Sequence, residues 1–170
     1  MAKSIIVKQN KYVAKTLHGL EEVLSIELEE IGASDIKIGN RAVEFQASTQ
    51  TMYEINYRVY TALRILESLN SFTFNDAQEF YEQIKSIQWD EIIDANQNIA
   101  VDANIFNSTT FNNSHFVELK TKDAIVDYFR DKYKDRPSVN KSNPDLLVNI
   151  FINKNFCHVS LDTSGEPLYK

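Results

Sequence analysis

The change of hydrophobic period that decides the fold lies in residues 20–47, LEEVLSIELEEIGASDIKIGNRAVEFQA. Apolar residues first recur three and four positions apart, which predicts a helix that ends at Gly32. They then recur at every second position, which predicts two strands, and Gly39-Asn40 between them is typical of a hairpin turn. The stripe predicted to face the core of this unit consists of Leu20, Val23, Leu24, Leu28 and Ile31.

The sequence on both sides extends this stretch into a complete small unit. Residues 12–16 alternate like a short strand before the helix, and residues 41–47 alternate again after the turn. Thr49 is a suitable N-cap for a second helix, and residues 64–74 read as a closing strand. The order strand, helix, strand, strand, helix, strand predicts a ferredoxin-like, split β-α-β subdomain.

The second half of the chain predicts another mixed unit, again with alternating helices and strands. No Pro/Gly/Ser-rich linker separates it from the first, so we expect the two units to pack together and the fold class to be α+β. Trp89 is expected in a turn or short helix that fills a core. The predicted elements are a helix over 77–87, a strand over 98–106, a long helix from His115 or Lys120 to Tyr133, and strands over 146–153 and 156–162.

Composition excludes several classes of protein. The 170 residues contain a single cysteine, Cys157, which excludes an internal disulfide framework and a cysteine-cluster metal site. The four glycines are too far apart for a Gly-rich nucleotide loop. No run approaches ~18 apolar residues, and the N-terminus lacks the apolar core of a signal peptide. We therefore expect a cytoplasmic protein with no membrane partner.

The residues that could carry out chemistry are scattered. His18, His115 and His158 lack metal-ligand spacing, and His158 is predicted on a polar face of the last strand. Cys157 alternates onto the apolar face of that strand and reads as a small buried hydrophobe. No serine stands in a nucleophile-elbow context. The sequence therefore predicts neither a catalytic residue nor a metal site in this chain.

Charge is distributed unevenly along the chain. The formal net charge is −6, which argues against sequence-independent nucleic-acid binding. Residues 1–113 carry 9 Lys and Arg against 16 Asp and Glu, whereas residues 114–170 carry 9 against 8. Most of the basic residues of the second part lie between Lys120 and Lys141. Interleaved aspartates favour a solvated helix with ion pairs one turn apart, and composition alone favours this interpretation over a binding site.

One segment, residues 112–127, does favour binding. A loop rich in asparagine leads into the N-terminal end of the long helix, whose free N–H groups and dipole suit phosphate oxygens. Lys120 and Lys122 follow on adjacent faces, and the ring of His115 or Phe111 could stack on irregular RNA. The alternative is an ordinary helix capped by Ser114 or Thr121, with its lysines in water and its aromatic rings in the core.

Several collinear blocks, which together cover about residues 12–170, carry a resemblance to a known family. The blocks are residues 17–24, Lys120–Asp127, Arg136–Asn140, Pro144–Ile150 and Val159–Gly165. The last four are similar to the THUMP region of 23S ribosomal RNA guanine-N2 methyltransferases, and residues 17–24 resemble the start of the same proteins. One position departs from the family, which has a basic residue where this chain has Asn112.

This resemblance implies an organisation and a function. It implies a ferredoxin-like subdomain over residues 1–75, a THUMP domain over 76–166, and the start of a linker to an absent methyltransferase domain over 167–170. The family boundary of the THUMP domain can also be drawn from about residue 50. The implied function is to hold 23S rRNA for that catalytic domain, which would use S-adenosylmethionine, while this chain itself holds no cofactor.

The expected RNA face combines the resemblance with the basic segment. Weak, strongly salt-dependent binding is expected from an acidic module of this kind. Two alternatives stay open: a THUMP module of a tRNA-modifying enzyme, and an acidic protein-interaction domain that uses the glutamates of the 20–31 helix. The residues predicted on the RNA face are Asn113, Ser114, His115, Lys120, Lys122, Arg136, Asn140 and Lys141.

Overall fold

The computed structural model of the chain describes residues 10–93, 97–133, 138–139 and 145–163. These residues form two compact units, each with a hydrophobic core of its own. The first unit comprises the described residues up to Ser68 together with 162–163, and the second comprises those between Leu69 and Leu161. The domain boundary that the sequence places after residue 75 stays a prediction.

The first unit has the predicted order of strands and helices. Its strands lie in the order β2-β3-β1-β4, and all neighbours are antiparallel. This is the ferredoxin-like arrangement that the change of hydrophobic period predicts. The elements are β1 Asn10–Thr16, α1 Glu21–Ile31, β2 Ser34–Ile38, β3 Ala42–Ala47, α2 Thr49–Arg58 and β4 Ala62–Thr73, which begins in this unit.

Helix ends in this unit follow local chemistry. Gly32 ends α1 in the left-handed region with φ 119°, a conformation that costs a side chain more than it costs glycine. The predicted N-cap of α2 is wrong by one residue: the Ser48 side chain accepts a hydrogen bond of 3.1 Å from the Thr51 N–H. Val23 is also exposed rather than part of the buried stripe of α1, whose fully buried positions are Leu24 and Leu28.

The second unit combines a parallel strand pair with a hairpin. β5 and β7 are parallel, with α4 as the connection between them, and β7 pairs antiparallel with β8. The sheet order is β8-β7-β5-β6, where β6 is a two-residue strand parallel to β5. The elements are α3 Ala77–Lys85, a 3₁₀ helix Trp89–Glu91, β5 Asn98–Phe106, α4 Ser114–Tyr133, β6 Ser138–Val139, β7 Leu146–Asn153 and β8 Phe156–Asp162.

The core of the second unit lies between one face of this sheet and the helices. Ile99, Val101 and Ala103 point from β5 into this core, as their alternation predicts. Trp89 is fully buried there, and its Nε1 donates a hydrogen bond of 2.8 Å to the Ile84 carbonyl, so the predicted core-filling role is confirmed. The even-numbered residues of β5, which include Asn104, point to the opposite face of the sheet.

The side chains considered for chemistry are mostly structural. Cys157 is fully buried, as predicted, and burial raises the pKa of its thiol. The polar face predicted for β8 is wrong in part, because Ser160 and Asp162 are buried. Asp162 accepts a hydrogen bond from Arg64, and the two form an ion pair within the first unit. Among the described residues, no group of three potential metal ligands occurs, and no helix is long and apolar enough to cross a membrane.

Candidate RNA interface

The candidate site begins where the loop after β5 enters α4. The Asn113 side chain accepts a hydrogen bond of 2.9 Å from the His115 N–H, which is the geometry of an N-cap. Asn113 therefore caps α4, and the two candidates from the sequence, Ser114 and Thr121, do not. Thr121 is fully buried, and its hydroxyl donates to the Val117 carbonyl at 2.8 Å. The helix thus starts at Ser114, in the amide-rich loop, as the binding hypothesis requires.

A cleft of about 450 Å³ lies beside this helix start. Asn107 turns the chain out of β5 with φ 53°, and the Ser108 hydroxyl then accepts a hydrogen bond of 3.1 Å from the Phe111 N–H. These interactions hold amides and hydroxyls around the cleft, where they supply both donors and acceptors. The cleft is lined by Ala103, Asn104, Ile105, Asn107, Ser108, Phe111, Asn112 and Ser114.

The start of α4 gives this cleft a positive potential at one wall. Asn113, Ser114 and His115 are all exposed in the first turn, where N–H groups and the helix dipole favour an anion. The His115 ring lies 3.5 Å from a carboxylate oxygen of Glu118, and the two attract each other when the histidine is protonated. The N–H groups suit an anionic oxygen such as that of a phosphate, and the amide acceptors beside them suit donor groups such as the amino groups of bases.

Lys120 lies less than two turns further along α4, about 9 Å from Ser114 along the axis. Its ammonium lies 5.6 Å from the centre of the Tyr81 ring and 5.9 Å from that of Phe116. Tyr81 in turn donates a hydrogen bond to Asp127, and burial followed by that bond raises the pKa of Tyr81 to about 12. Two rings therefore position Lys120, while among the described residues no carboxylate pairs with it.

Lys122 occupies a different environment from Lys120. It is only 8% exposed, and it already interacts with another residue of the chain. The sequence predicts the two lysines on adjacent faces of α4, and the structure does not bring Lys122 to the surface beside Lys120. The reason is that Lys122 follows Thr121 on the side of α4 that packs into the unit. Its predicted contact with RNA stays a prediction.

The remaining basic residues of α4 form ion pairs. Arg130 lies 3.6 Å from Asp127, one turn away, and Lys132 donates to Asp90 of the 3₁₀ helix at 2.6 Å. For these two residues the solvated, ion-paired helix is the better interpretation. Three further predicted site residues, Arg136, Asn140 and Lys141, lie outside the described residues.

Aromatic residues near the site divide into core and surface. His115 or Phe111 is predicted to stack on RNA; Phe111 is 3% exposed and packs against Phe80 at 5.1 Å between ring centres, which leaves the exposed His115 as the candidate. Exposed rings occur at Phe116 of α4 and at Phe106 and Phe156 of the sheet, and the sequence patterns do not single out the last two. Their even positions in strands whose odd positions are apolar could have placed them on the outer face.

Comparison with known proteins identifies both units. The THUMP domain family matches residues 74–162, and the RlmL ferredoxin-like domain family matches residues 11–66. The chain belongs to the THUMP family. The resemblance that the sequence blocks carry is therefore confirmed, as is the mixed fold of a ferredoxin-like domain followed by a THUMP domain. A THUMP domain implies RNA binding, and this pair of domains fits an RNA-binding module of an RNA methyltransferase.

Solved structures show the same fold in longer chains. A "predicted N6-adenine-specific DNA methylase" from Listeria monocytogenes has a TM-score of 0.84 at 22% identity, over 96% of this chain and 42% of its own. A putative methyltransferase complexed with SAH has a TM-score of 0.84 at 23% identity, over 96% and 44%. A 4-thiouridine synthetase in complex with RNA and ATP has a TM-score of 0.58 at 12% identity, over 91% and 41%. The THUMP chain described here thus spans less than half the length of these proteins.

Proposed function

We propose that this chain holds structured 23S rRNA and presents a guanine amino group to a methyltransferase domain of the same parent protein. The proposal includes a cytoplasmic location and no membrane partner. The match of both domains, in the order RlmL ferredoxin-like domain and then THUMP domain, is the observation that carries it. The methyl donor of the parent would be S-adenosylmethionine.

The contacts available in the second unit support RNA as the ligand. The cleft beside α4 offers asparagine and serine groups, which suit both phosphate oxygens and the edges of bases. The first turn of α4 adds oriented N–H groups, and Lys120 adds a cation held by two rings. Phosphate neutralisation depends on local charge, so an overall net charge of −6 is compatible with binding.

The residues described here do not fit S-adenosylmethionine. The family of cofactor loops that hold adenosyl groups needs closely spaced glycines where a strand turns into a helix. Among the described strand-to-helix turns, the one between β1 and α1 contains a single glycine, Gly19, and the others contain none. We therefore assign the methyl-transfer chemistry to another part of the parent and derive no catalytic step for this chain.

A set of binding titrations tests the proposal. The 170-residue chain is titrated against fragments of 23S rRNA and against tRNA transcripts, with fluorescence anisotropy at low salt as the readout. We expect saturable binding that favours one rRNA fragment, and we expect Lys120→Glu to weaken it. Lys37→Glu is the matched control, because Lys37 is an exposed lysine on β2 of the first unit.

Two other results would replace the proposal. Preference for tRNA over every rRNA fragment would favour a tRNA-modifying parent, which the RNA complex of the 4-thiouridine synthetase makes the natural second candidate. Absence of binding to both RNAs would favour a protein-interaction role. The exposed glutamates of α1, Glu22, Glu29 and Glu30, would then be the surface to examine.

A further inference from the structure

The outer face of the second unit's sheet carries exposed aromatic rings at the ends of its strands. Phe106 at the end of β5 is 53% exposed, and Phe156 at the start of β8 is 43% exposed. The strand register aligns both with Asn153 of β7, which lies between them. Neighbouring strands are about 4.8 Å apart, so the Cα atoms of Phe106 and Phe156 are about 10 Å apart.

A second set of register partners lies beside Phe106, Asn153 and Phe156 on the same face of the sheet. Asn104 of β5, Phe151 of β7 and His158 of β8 are aligned by the register. The ring centres of Phe106 and Phe151 are 5.4 Å apart with an angle of 37° between the planes. We call Phe106, Phe151 and Phe156 the aromatic row. Its rings share one face with an imidazole and two amides.

The backbone around the aromatic row is well ordered by hydrogen bonds. The Lys154 N–H donates to the Phe106 carbonyl at 2.9 Å, which ties the β7–β8 turn to the end of β5. Lys154 itself sits in the left-handed region with φ 57°, as the tight turn requires. The Asn155 carbonyl accepts a hydrogen bond of 3.0 Å from the Phe74 N–H. The exposed rings are therefore presented on a fixed support.

The charge of this face suits a polyanion. These two sets of register partners and the β7–β8 turn contain three phenylalanines, three asparagines, one histidine and one lysine, and no carboxylate. The nearest carboxylate of β5 on this face is that of Asp102, two positions before Asn104. The lysine is Lys154, which is exposed at the tip of the turn. A partner that brings phosphates and flat bases matches these side chains better than an acidic or basic protein surface does.

The aromatic row also adjoins the candidate RNA cleft. Asn104 lines that cleft and is the register neighbour of Phe151, while Asn107, another lining residue, follows Phe106 directly. An RNA strand whose phosphates contact the start of α4 can therefore continue onto the sheet. We propose that the aromatic row is a stacking platform for unpaired bases of the bound RNA. The proposal rests on the proposed RNA-binding function and adds the class of RNA structure that is recognised.

The test compares two RNAs that differ only in unpaired nucleotides. One is a hairpin with a blunt end, and the other is the same hairpin with a single-stranded tail of four nucleotides. We expect the 170-residue chain to bind the tailed hairpin about tenfold more tightly, the size expected for one stacked base. Stacking is not a counterion effect, so this ratio is expected to persist at higher salt while both affinities fall.

Substitutions locate the preference on the platform. Phe106→Ala with Phe156→Ala is expected to reduce affinity for the tailed hairpin to the level of the blunt one and to leave blunt binding unchanged. Both rings are exposed, so the double variant is expected to melt like the wild type. Phe106→Leu with Phe156→Leu keeps apolar side chains but removes the rings, and it is expected to lose the preference as well. Tyr57→Ala, at an exposed aromatic residue of the first unit, is the matched control.

The outcomes separate this proposal from the one on which it rests. If the wild type binds both hairpins equally, or if the alanine pair keeps the preference, the platform is refuted and RNA binding at α4 stands. If the double leucine variant keeps the preference for the tailed hairpin that the double alanine variant loses, the contact is apolar rather than stacked. That result also refutes the platform and favours a protein partner. If neither hairpin binds, the platform is refuted, and the titration of rRNA fragments and tRNA decides the proposed function.

Discussion

Lys132 in the last turn of α4 donates a hydrogen bond of 2.6 Å to Asp90 in the 3₁₀ helix. The same carboxylate accepts a hydrogen bond of 2.7 Å from Tyr133 and another from Tyr128. Lys132, followed by the two tyrosines, holds the pKa of Asp90 well below its usual range. One carboxylate therefore connects the end of the long helix to the segment that carries the buried Trp89.

This arrangement predicts acid sensitivity at Asp90. A carboxyl whose pKa is lowered in the folded state stabilises the protein above its ordinary pKa of 3.8 and loses that contribution as the pH falls through the folded value. Asp90→Asn is therefore expected to be less stable than the wild type at neutral pH, and the difference is expected to shrink below about pH 4. Thermal melting of both proteins between pH 7 and pH 2.5 measures it. A difference that does not change with pH would contradict the role of the charge.

Lys120 is expected to contribute one phosphate contact. Lys120→Gln removes the charge and keeps most of the side chain that lies over Tyr81 and Phe116. The slope of log affinity against log salt is expected to become shallower by about 0.7 to 1, and all RNAs are expected to be weakened to a similar degree. Lys37→Gln provides the control, whose slope is expected to match that of the wild type. Equal slopes for both variants would exclude Lys120 from the phosphate contacts.

Phe111 and Phe116 form a matched pair of core and surface rings. Phe111 packs on Phe74 and Phe80 in the core, so Phe111→Ala is expected to cost about 3–5 kcal/mol of unfolding free energy. Phe116 is 45% exposed, so Phe116→Ala is expected to cost less than about 1 kcal/mol. Denaturant titration measures both values. Similar losses for the two variants would contradict this assignment of the rings.

Tyr81 is expected to ionise late in an alkaline titration. Burial and its hydrogen bond to Asp127 raise the pKa of Tyr81 to about 12, against an ordinary value of 10. A group whose pKa is raised by folding stabilises the protein below the ordinary value and loses this contribution as the pH rises through the folded one. Tyr81→Phe is expected to remove a phenolate absorbance step near pH 12. It is also expected to be less stable than the wild type below pH 10, and this difference in unfolding free energy is expected to shrink between pH 10 and 12. An unchanged titration curve would refute the shift.

The first unit could be predicted well because its patterns are local. The helix that ends at Gly32 and the hairpin around Gly39-Asn40 each follow from residues that are adjacent in sequence. The errors lie where several residues satisfy the same local rule: Ser48 and Thr49 are both good N-caps, and Val23 fits the helical stripe but lies at its edge. Only the packed structure distinguishes these choices.

The candidate site could be predicted less fully, because it depends on contacts between distant residues. The polar loop follows from the sequence, and one of the two predicted starts of α4, His115, lies one residue from the observed start at Ser114, although the predicted caps are wrong. The burial of Lys122 and Phe111 could not be predicted, because a lysine or a phenylalanine near a polar loop can lie on the buried or on the exposed side of the helix start. The alignment of Phe106 with Phe156 needs the strand register, which joins residues 50 positions apart.

β2 lies at one edge of the first unit's sheet, where unpaired backbone groups could recruit a strand from another molecule. Its register against β3 shifts between Ser34 and Lys37, and Asp35 adopts a positive φ of 50°. Such an irregularity twists the edge strand and disrupts the regular backbone hydrogen bonds that a second copy would need. The ammonium of Lys37 adds a charge at the same edge. We therefore expect this short edge strand to oppose fibre growth by edge-to-edge pairing in concentrated solutions of the protein.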